Sequence, residues 1–329
     1  MTTGVVVGKF LPPHHGHKHL IDTATAHVDH LDVLVCARDD QPIDGPTRVA
    51  WLREIHPDVH VVLVDDDIPD GQGDRTSKAW AERTVLILGQ APDVVFSSED
   101  YGPTYARFLG ARHVSVDPAR TRFPVSGTSV RAAPGEYWHL LEPCVRAWHV
   151  RRVCVTGAES TGTTTLARAL AEHYNTTCVP EYGRQFCAEH LPDGQAWEWR
   201  TEHFVEIARR QQSDEDTAAR SSGPLLVCDT DAMATSIWHE RYLGHSSPEI
   251  AALVAARRYA LWVLTSDDIR FVQDGTRDGE HLRPWMTRRF RDELARCSGP
   301  WIEVHGDLDE RMALAVRTID ELMKVKQQP

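Results

Sequence analysis

His14 and His17 stand three residues apart in "GKFLPPHHGH" (residues 8–17), directly after the apolar run "VVV". At the start of a helix that spacing puts both imidazoles on one face. Gly16 between them lets a ligand approach the backbone, and the positive end of the helix dipole favours an anion there. Two imidazole N–H donors over a phosphate can stabilise the charge that grows on its oxygens during phosphoryl-type transfer. Lys9 is either a further phosphate contact or a solvated strand-end charge. The four histidines His14, His15, His17 and His19 also fit a surface metal-binding cluster or polar filler.

A second loop, "GAESTGTTTLARAL" (157–170), resembles the phosphate-binding pattern G-x-x-x-x-G-K-[ST]. Gly157 and Gly162 have the required spacing around Glu159, Ser160 and Thr161, Thr164 and then Thr165 supply hydroxyls, and Thr163 stands where lysine is usual. In that pattern backbone N–H groups cradle phosphates, the lysine neutralises them and the hydroxyl holds Mg²⁺. "LLVCDTD" (225–231) is an apolar strand ending in acids, so Asp229 is expected to hold Mg²⁺ or activate a substrate hydroxyl. Asp231 is its neighbour at a substrate, and either acid could instead cap a helix. "PEYGRQF" places Glu181 and Arg184 after another strand. "DGTRDGEHLR" (274–283), ahead of a helix starting at Pro284, suits either a solvated loop or a lid that brings Arg277 or Arg283 over phosphate. If Thr163 leaves the loop one charge short, Arg184, Arg277 and Arg283 are the candidates to replace it.

Short β-branched runs alternating with helical periods are the elements that must position these loops. "GVVVGKF", "LDVLVCARD", "DVHVVLVDD", "PDVVFSSED" and "RHVSVD" read as strands, and the alternation restarts with "RRVCVTG", "TTCVPEYG", "PLLVCDTD", "YALWVLTSD" and "WIEVHGD". The expected class is α/β, with two doubly wound parallel sheets in tandem over residues 1–148 and 149–329. "GTSVRAAPGEYWHLLEPCVRAWHVRR" is expected to join them as helix and linker interrupted at Pro143. The 329 residues, 41% of them hydrophobic, suffice for two cores, and the net charge of −12 argues against a nucleic-acid backbone as partner. Seven cysteines without a C-x-x-C pair point to a reducing compartment and no cysteine zinc site. With no 18-residue apolar run and no leader pattern, a cytoplasmic protein without a membrane partner is expected. The oligomeric state stays open, a homo-oligomer included.

Two long motifs carry a family resemblance. Gly8, Phe10, Pro12, His14, Gly16 and His17 match G-x-F-x-P-x-H-x-G-H of the nucleotidylyltransferase superfamily. About 110 residues on, Ser126, Thr128 and Arg131 of "FPVSGTSVR" match its I-S-x-T-x-x-R. With "VFSSEDYG", "PEYGRQF" and "CDTD", nearly the whole chain resembles the bifunctional NadR family. The resemblance implies a Rossmann-like nucleotidylyltransferase fold followed by a P-loop kinase fold, acting in NAD synthesis. The first would transfer AMP from ATP to nicotinamide mononucleotide, with the second motif holding the β- and γ-phosphates. The second would phosphorylate nicotinamide riboside to that mononucleotide, with ATP as co-substrate and Mg²⁺ as cofactor. Some members begin with a helix-turn-helix domain; this sequence starts at the transferase strand, so DNA-binding regulation is not expected. Thr163 departs from the family pattern. It leaves open a non-catalytic nucleotide sensor in the second half, and a transferase acting on another phosphate, such as a pantetheine or flavin precursor, is a further alternative.

Overall fold

The computed structural model describes residues 1–68, 73–190, 197–273 and 279–324. The chain forms two compact units, Met1–Val145 and a second beginning at Arg146. The first runs β1 (Thr3–Gly8), α1 (His15–Thr25), β2 (His30–Ala37), α2 (Gly45–Ile55), β3 (His60–Asp65), α3 (Asp74–Leu88), β4 (Val94–Ser97), α4 (Gly102–Leu109), β5 (Arg112–Ser115), α5 (Gly127–Ala132) and α6 (Pro143–His149), the last extending past the unit boundary. The second runs β6 (Arg151–Gly157), α7 (Thr163–His173), β7 (Cys178–Val179), α8 (Tyr182–His190), α9 (Thr201–Ser221), β8 (Leu225–Asp229), α10 (Ala232–Leu243), α11 (Pro248–Ala256), β9 (Leu261–Thr265), α12 (Arg283–Arg296), β10 (Trp301–Val304) and α13 (Leu308–Lys324).

Both sheets are parallel throughout, in the orders β3-β2-β1-β4-β5 and β10-β9-β6-β8-β7. Strands buried on both faces need apolar residues at successive positions, which is why they read as runs of valine and leucine. In the first sheet Val6, Val33, Val35 and Phe96 pack with Leu20, Ile21, Val49 and Leu52 of α1 and α2. Val5, Leu34 and Val95 pack on the other face with Ala81, Tyr105, Ala106 and Leu109 of α3 and α4. In the second, Val153, Val155, Val227, Leu261 and Val263 meet Leu166 and Leu170 of α7 and Ala315 and Ile319 of α13. In each sheet the order reverses beside the first strand, β1 or β6. Loops at the carboxyl ends of those strands therefore open into the crevice where parallel sheets bind ligands. Among the described residues no helix is long and apolar enough to cross a membrane.

The structure corrects the expectation of a linker around Pro143. Pro143 opens α6 rather than interrupting a helix, because a first-turn position needs no backbone N–H. Leu141, Cys144 and Val145 are buried with Ile43, Trp51, Val125 and Val130, so this stretch completes the first unit's core. Leu141 is fully buried. Leu141→Ala should accordingly destabilise the first unit by about 2–5 kcal/mol in urea unfolding, whereas truncation in an exposed linker would change stability by less than ~0.5 kcal/mol.

Candidate active sites

In the first unit the chain leaves β1 and turns sharply at Phe10, a non-glycine residue in the left-handed region (φ 46°). The turn folds the Phe10 ring back over Gly8, where a Cβ would lie 3.2 Å from it, and sets its edge against His17 at 5.0 Å between centroids. Phe10 is thus buried and supports the histidine. His14 is the N-cap of α1: its Nδ1 accepts from the His17 backbone N–H at 3.4 Å. The two rings stack with centroids 3.8 Å apart. Burial, with Arg120 nearby, lowers the His14 pKa to about 4 and holds His17 well below its ordinary value. Both imidazoles are therefore neutral near pH 7. With Nδ1 of His14 accepting, its proton sits on Nε2, so the cap fixes the tautomer that offers a donor from the outer edge of the ring.

The second motif docks onto the same loop. Ser126 caps α5 through a capping box with Ser129, so its hydroxyl is engaged in holding the helix start. Arg131 Nη1 donates to the Leu11 carbonyl and Nη2 to the Thr128 hydroxyl at 3.3 Å, which leaves Thr128 exposed at the helix N-terminus. Gly127 is required because a Cβ there would run into the Leu11 carbonyl oxygen. Lys9, half exposed, lies 3.8 Å from the buried Asp66 carboxylate. Three residues absent from the motif reading belong here. Arg48, fully buried, donates to the Lys9 and Cys36 carbonyls at 2.5 and 3.2 Å and to Gln41 at 2.7 Å, fixing the exit from β1. Arg120 and Gly127 are the others, and only Gly127 carried a sequence signal, by its place inside the second motif.

In the second unit, β6, the loop 158–162 and α7 form the strand–loop–helix that a phosphate cradle requires. Gly157 admits Thr265 at the end of β9, and Gly162 (φ 84°) and Ser160 (φ 58°) turn the chain. Two arginines hold the loop through its carbonyls. Arg311 Nη1 donates to Thr161 O at 2.5 Å, and Arg283 Nη2 to Ser160 O at 3.4 Å and Ile269 O at 3.0 Å. In a trans peptide the C=O and the following N–H point in opposite directions. Anchoring these two carbonyls therefore aims the N–H groups of Thr161 and Gly162 to the side away from the arginines. Thr164, in the first turn of α7, lies beside Asp229 at the end of β8 and favours its charged form. Burial raises the Asp229 pKa, with Thr164 and the charges of Arg184 and Arg168 acting against it, and its Oδ1 is buried with no hydrogen-bond partner. A hydroxyl and a carboxylate with an unspent oxygen form a hard-oxygen donor set that fits Mg²⁺.

Of the other expected site residues, Asp231, Arg283 and Thr161 are engaged inside the fold. Asp231 is the N-cap of α10, wholly buried, accepting from Ala234 N at 3.0 Å and Trp262 Nε1 at 2.9 Å, so it is structural. Arg283 begins α12 one residue before the expected Pro284 and is buried, so it braces the loop from behind and is no lid. Arg277 lies outside the described residues. Thr161 is buried, bonding Ala158 O at 2.6 Å and Thr265 Oγ1 at 2.7 Å. Glu159 accepts from Gly279 N at 2.8 Å and lies 3.4 Å from Arg241, tying the end of the charged loop to the cradle. Thr163 is partly buried and Thr165 exposed on the first turn of α7. Glu181 and Arg184 face one another at 3.8 Å, with Arg184 about half exposed. Arg311, Arg241 and Thr265 were not legible, because each reaches the loop from a distant part of the chain.

Known proteins match this geometry over both units. A cytidylyltransferase-like family model covers residues 5–133 and an AAA domain model residues 152–311. The trifunctional NAD biosynthesis/regulator protein NadR of Escherichia coli K12 is 30% identical over 98% of this chain and 83% of its own length. The chain belongs to the NadR family. The Salmonella typhimurium NadR is 30% identical over 97% of the chain. In fold, a NadR protein in complex with NR superposes with a TM-score of 0.81 at 20% identity over the whole chain. One in complex with NAD and AMP-PNP gives 0.78 at 19% identity. Both sheets with their first-strand loops are therefore the NadR arrangement, a nucleotidyltransferase-type unit followed by a P-loop unit.

The buried neutral His14 has a consequence for stability. An unfolded histidine takes a proton near pH 6.5, while folded His14 resists protonation to about pH 4. Between those values the unfolded chain binds more protons, so stability is lost as pH falls through that window. Lowering the pH from 7 to 5 should cost the first unit about 2 kcal/mol through this group. His14→Gln should remove that part of the slope in urea unfolding at the two pH values; an unchanged slope would mean that His14 titrates normally.

Proposed function

We propose that this chain makes NAD in two steps, one at the first-strand loop of each sheet. The second unit phosphorylates nicotinamide riboside, and the first joins the resulting mononucleotide to the AMP moiety of ATP. The NadR relatives act in NAD biosynthesis, and two structural neighbours were crystallised with NR and with NAD and AMP-PNP. The observation that carries the reading is the stacked, neutral His14–His17 pair at the carboxyl end of β1, with the Arg131 helix docked on the same loop.

At the first site a phosphate oxygen of the mononucleotide attacks the α-phosphorus of ATP and pyrophosphate departs. No proton need be removed from the attacking group, so catalysis is positioning and charge stabilisation. His14 Nε2–H and the outer edge of His17 donate to oxygens of the reacting phosphate, as neutral donors whose tautomer is fixed in advance. The exposed Thr128 hydroxyl, the N-terminal N–H groups of α5 and Arg131 receive the departing phosphates. At the second site the 5′-hydroxyl of the riboside attacks the γ-phosphorus of ATP. The N–H groups of the 158–162 loop and the start of α7 cradle the phosphates. Thr164 and Asp229 would hold Mg²⁺, which would supply charge neutralisation at the transferring phosphate. Glu181 and Asp229 stand at the ends of the neighbouring strands β7 and β8 as acceptors for the hydroxyl proton. Arg184 supplies the charge that Thr163 does not. It is about half exposed on the first turn of α8 and close enough to Asp229 to stabilise its charged form.

Incubation with nicotinamide riboside, ATP and Mg²⁺, with products identified by mass, should yield NAD. His17→Ala should stop the sequence at the mononucleotide, slowing adenylyl transfer about 10²–10³-fold without changing riboside phosphorylation. Asp229→Asn should do the reverse, converting added mononucleotide to NAD but making none from riboside. If His17→Ala leaves pyrophosphate release within a few-fold of the parent, the histidine pair is not the transfer site. If Asp229→Asn abolishes both steps, Asp229 serves the fold instead.

A further inference from the structure

The opposite ends of the first sheet's strands carry a second group of chemistry-bearing residues. His30 opens β2, His60 opens the edge strand β3, and Asp32 lies between them. The parallel register places Asp32 directly opposite His60. His30 is two positions before Asp32, and the strand period of two puts it on the same face. His60 Nδ1 is 2.7 Å and His30 Nε2 3.4 Å from Asp32 Oδ1, and one ligand atom from each of the three lies within 4.8 Å of the others. Among the described residues this is the group of three nitrogen, sulfur or carboxylate donors so gathered.

We propose that His30, Asp32 and His60 form a binding site for a borderline divalent transition-metal ion, zinc foremost, clipping the edge strand β3 to β2. Four-coordinate zinc with bonds of about 2.0–2.1 Å sets its ligand atoms roughly 3.3 Å apart. The two contacts to Asp32 already bracket that spacing, and the ladder fixes the backbone beneath. Asp32 is nearly buried, while the side chains of His30 and His60 are 45% and 59% exposed. The buried member of the set is thus the carboxylate, and the two that must rotate to admit an ion are the exposed ones. Their exposure leaves the fourth position to water. Two imidazole nitrogens with one carboxylate select zinc, and its neighbours in the first transition row, over Mg²⁺ or Ca²⁺, which take oxygen ligands. The site lies at the amino ends of the strands, about 20 Å of strand from the carboxyl-end loop. An ion there stabilises the sheet edge and takes no part in the transfer chemistry.

Chelator-stripped full-length protein titrated with zinc chloride by calorimetry should show a binding event that weakens at least tenfold in His30→Gln and likewise in His60→Gln. Zinc should also raise the thermal midpoint of the parent, reversibly with chelator, and that rise should shrink in both variants. Both histidines are exposed, so these variants keep the test sound even if Asp32→Asn fails to fold. Zinc taken up by other histidines is common to parent and variants and cancels in the comparison. Cobalt in place of zinc should give a four-coordinate visible absorption band in the parent that both variants lose. If the single variants and the double variant reproduce the parent's isotherm and thermal shift, the three residues are an ordinary hydrogen-bonded surface group and the proposal fails.

Discussion

Guanidinium groups bonded to main-chain carbonyls hold both phosphate-facing loops in place. Arg48 grips Lys9 O and Cys36 O, and Arg131 grips Leu11 O. Arg283 and Arg311 grip Ser160 O and Thr161 O. A charged donor makes a stronger hydrogen bond than a neutral one, and a carbonyl fixed behind a loop fixes the direction of the following N–H in front of it. The positive-φ turns at Phe10, Ser160 and Gly162 persist because these bonds over-determine them. The positioning of His14 over His17, and of the 158–162 amides, rests on this bracing.

The same economy explains how an acidic protein can handle anionic substrates. With a net charge of −12 there is no broad positive field, so attraction must be local. At the first loop it comes from neutral imidazole donors whose charging is suppressed by burial, and from the ends of α1 and α5. On the proposed reading, attraction at the second comes from amides and from Arg184. A loop whose geometry is set by arginines behind it tolerates the loss of the single lysine in front better than one that relies on that lysine for shape. What Thr163 removes is charge at the phosphate, and the cradle itself remains.

The central strands were readable in the sequence because strands covered on two faces must be continuously apolar, and each of the ten runs read as a strand contains one. The places of His14, His17, Thr164 and Asp229 beside strand ends were readable because motif spacing is counted from a strand end. Roles set by tertiary partners were not readable. Asp231 could be read as a ligand donor or a helix cap in one dimension, and only its partners in three show the cap, while the capping role of Ser126 appears only in the fold. Arg283 looks like a lid residue because it follows a glycine-rich charged loop, yet it points into the fold. Pro143 looks like a break and is a helix start, since the sequence does not show that Leu141 and Val145 have a core to enter. Arg311 braces a loop 150 positions earlier in the chain, a distance at which no local pattern carries information.

On the proposed function, the second loop works as a kinase site through its amides and Arg184, without a lysine. The most direct measurement is a double-mutant cycle of riboside phosphorylation with Arg184→Ala and Thr163→Lys. Arg184→Ala should lower kcat/KM by about 10- to 100-fold, the worth of a charged hydrogen bond. Adding Thr163→Lys to that variant should restore part of the loss. A parent protein that forms no mononucleotide while Thr163→Lys alone does would contradict the account, and so would an Arg184→Ala variant with undiminished activity.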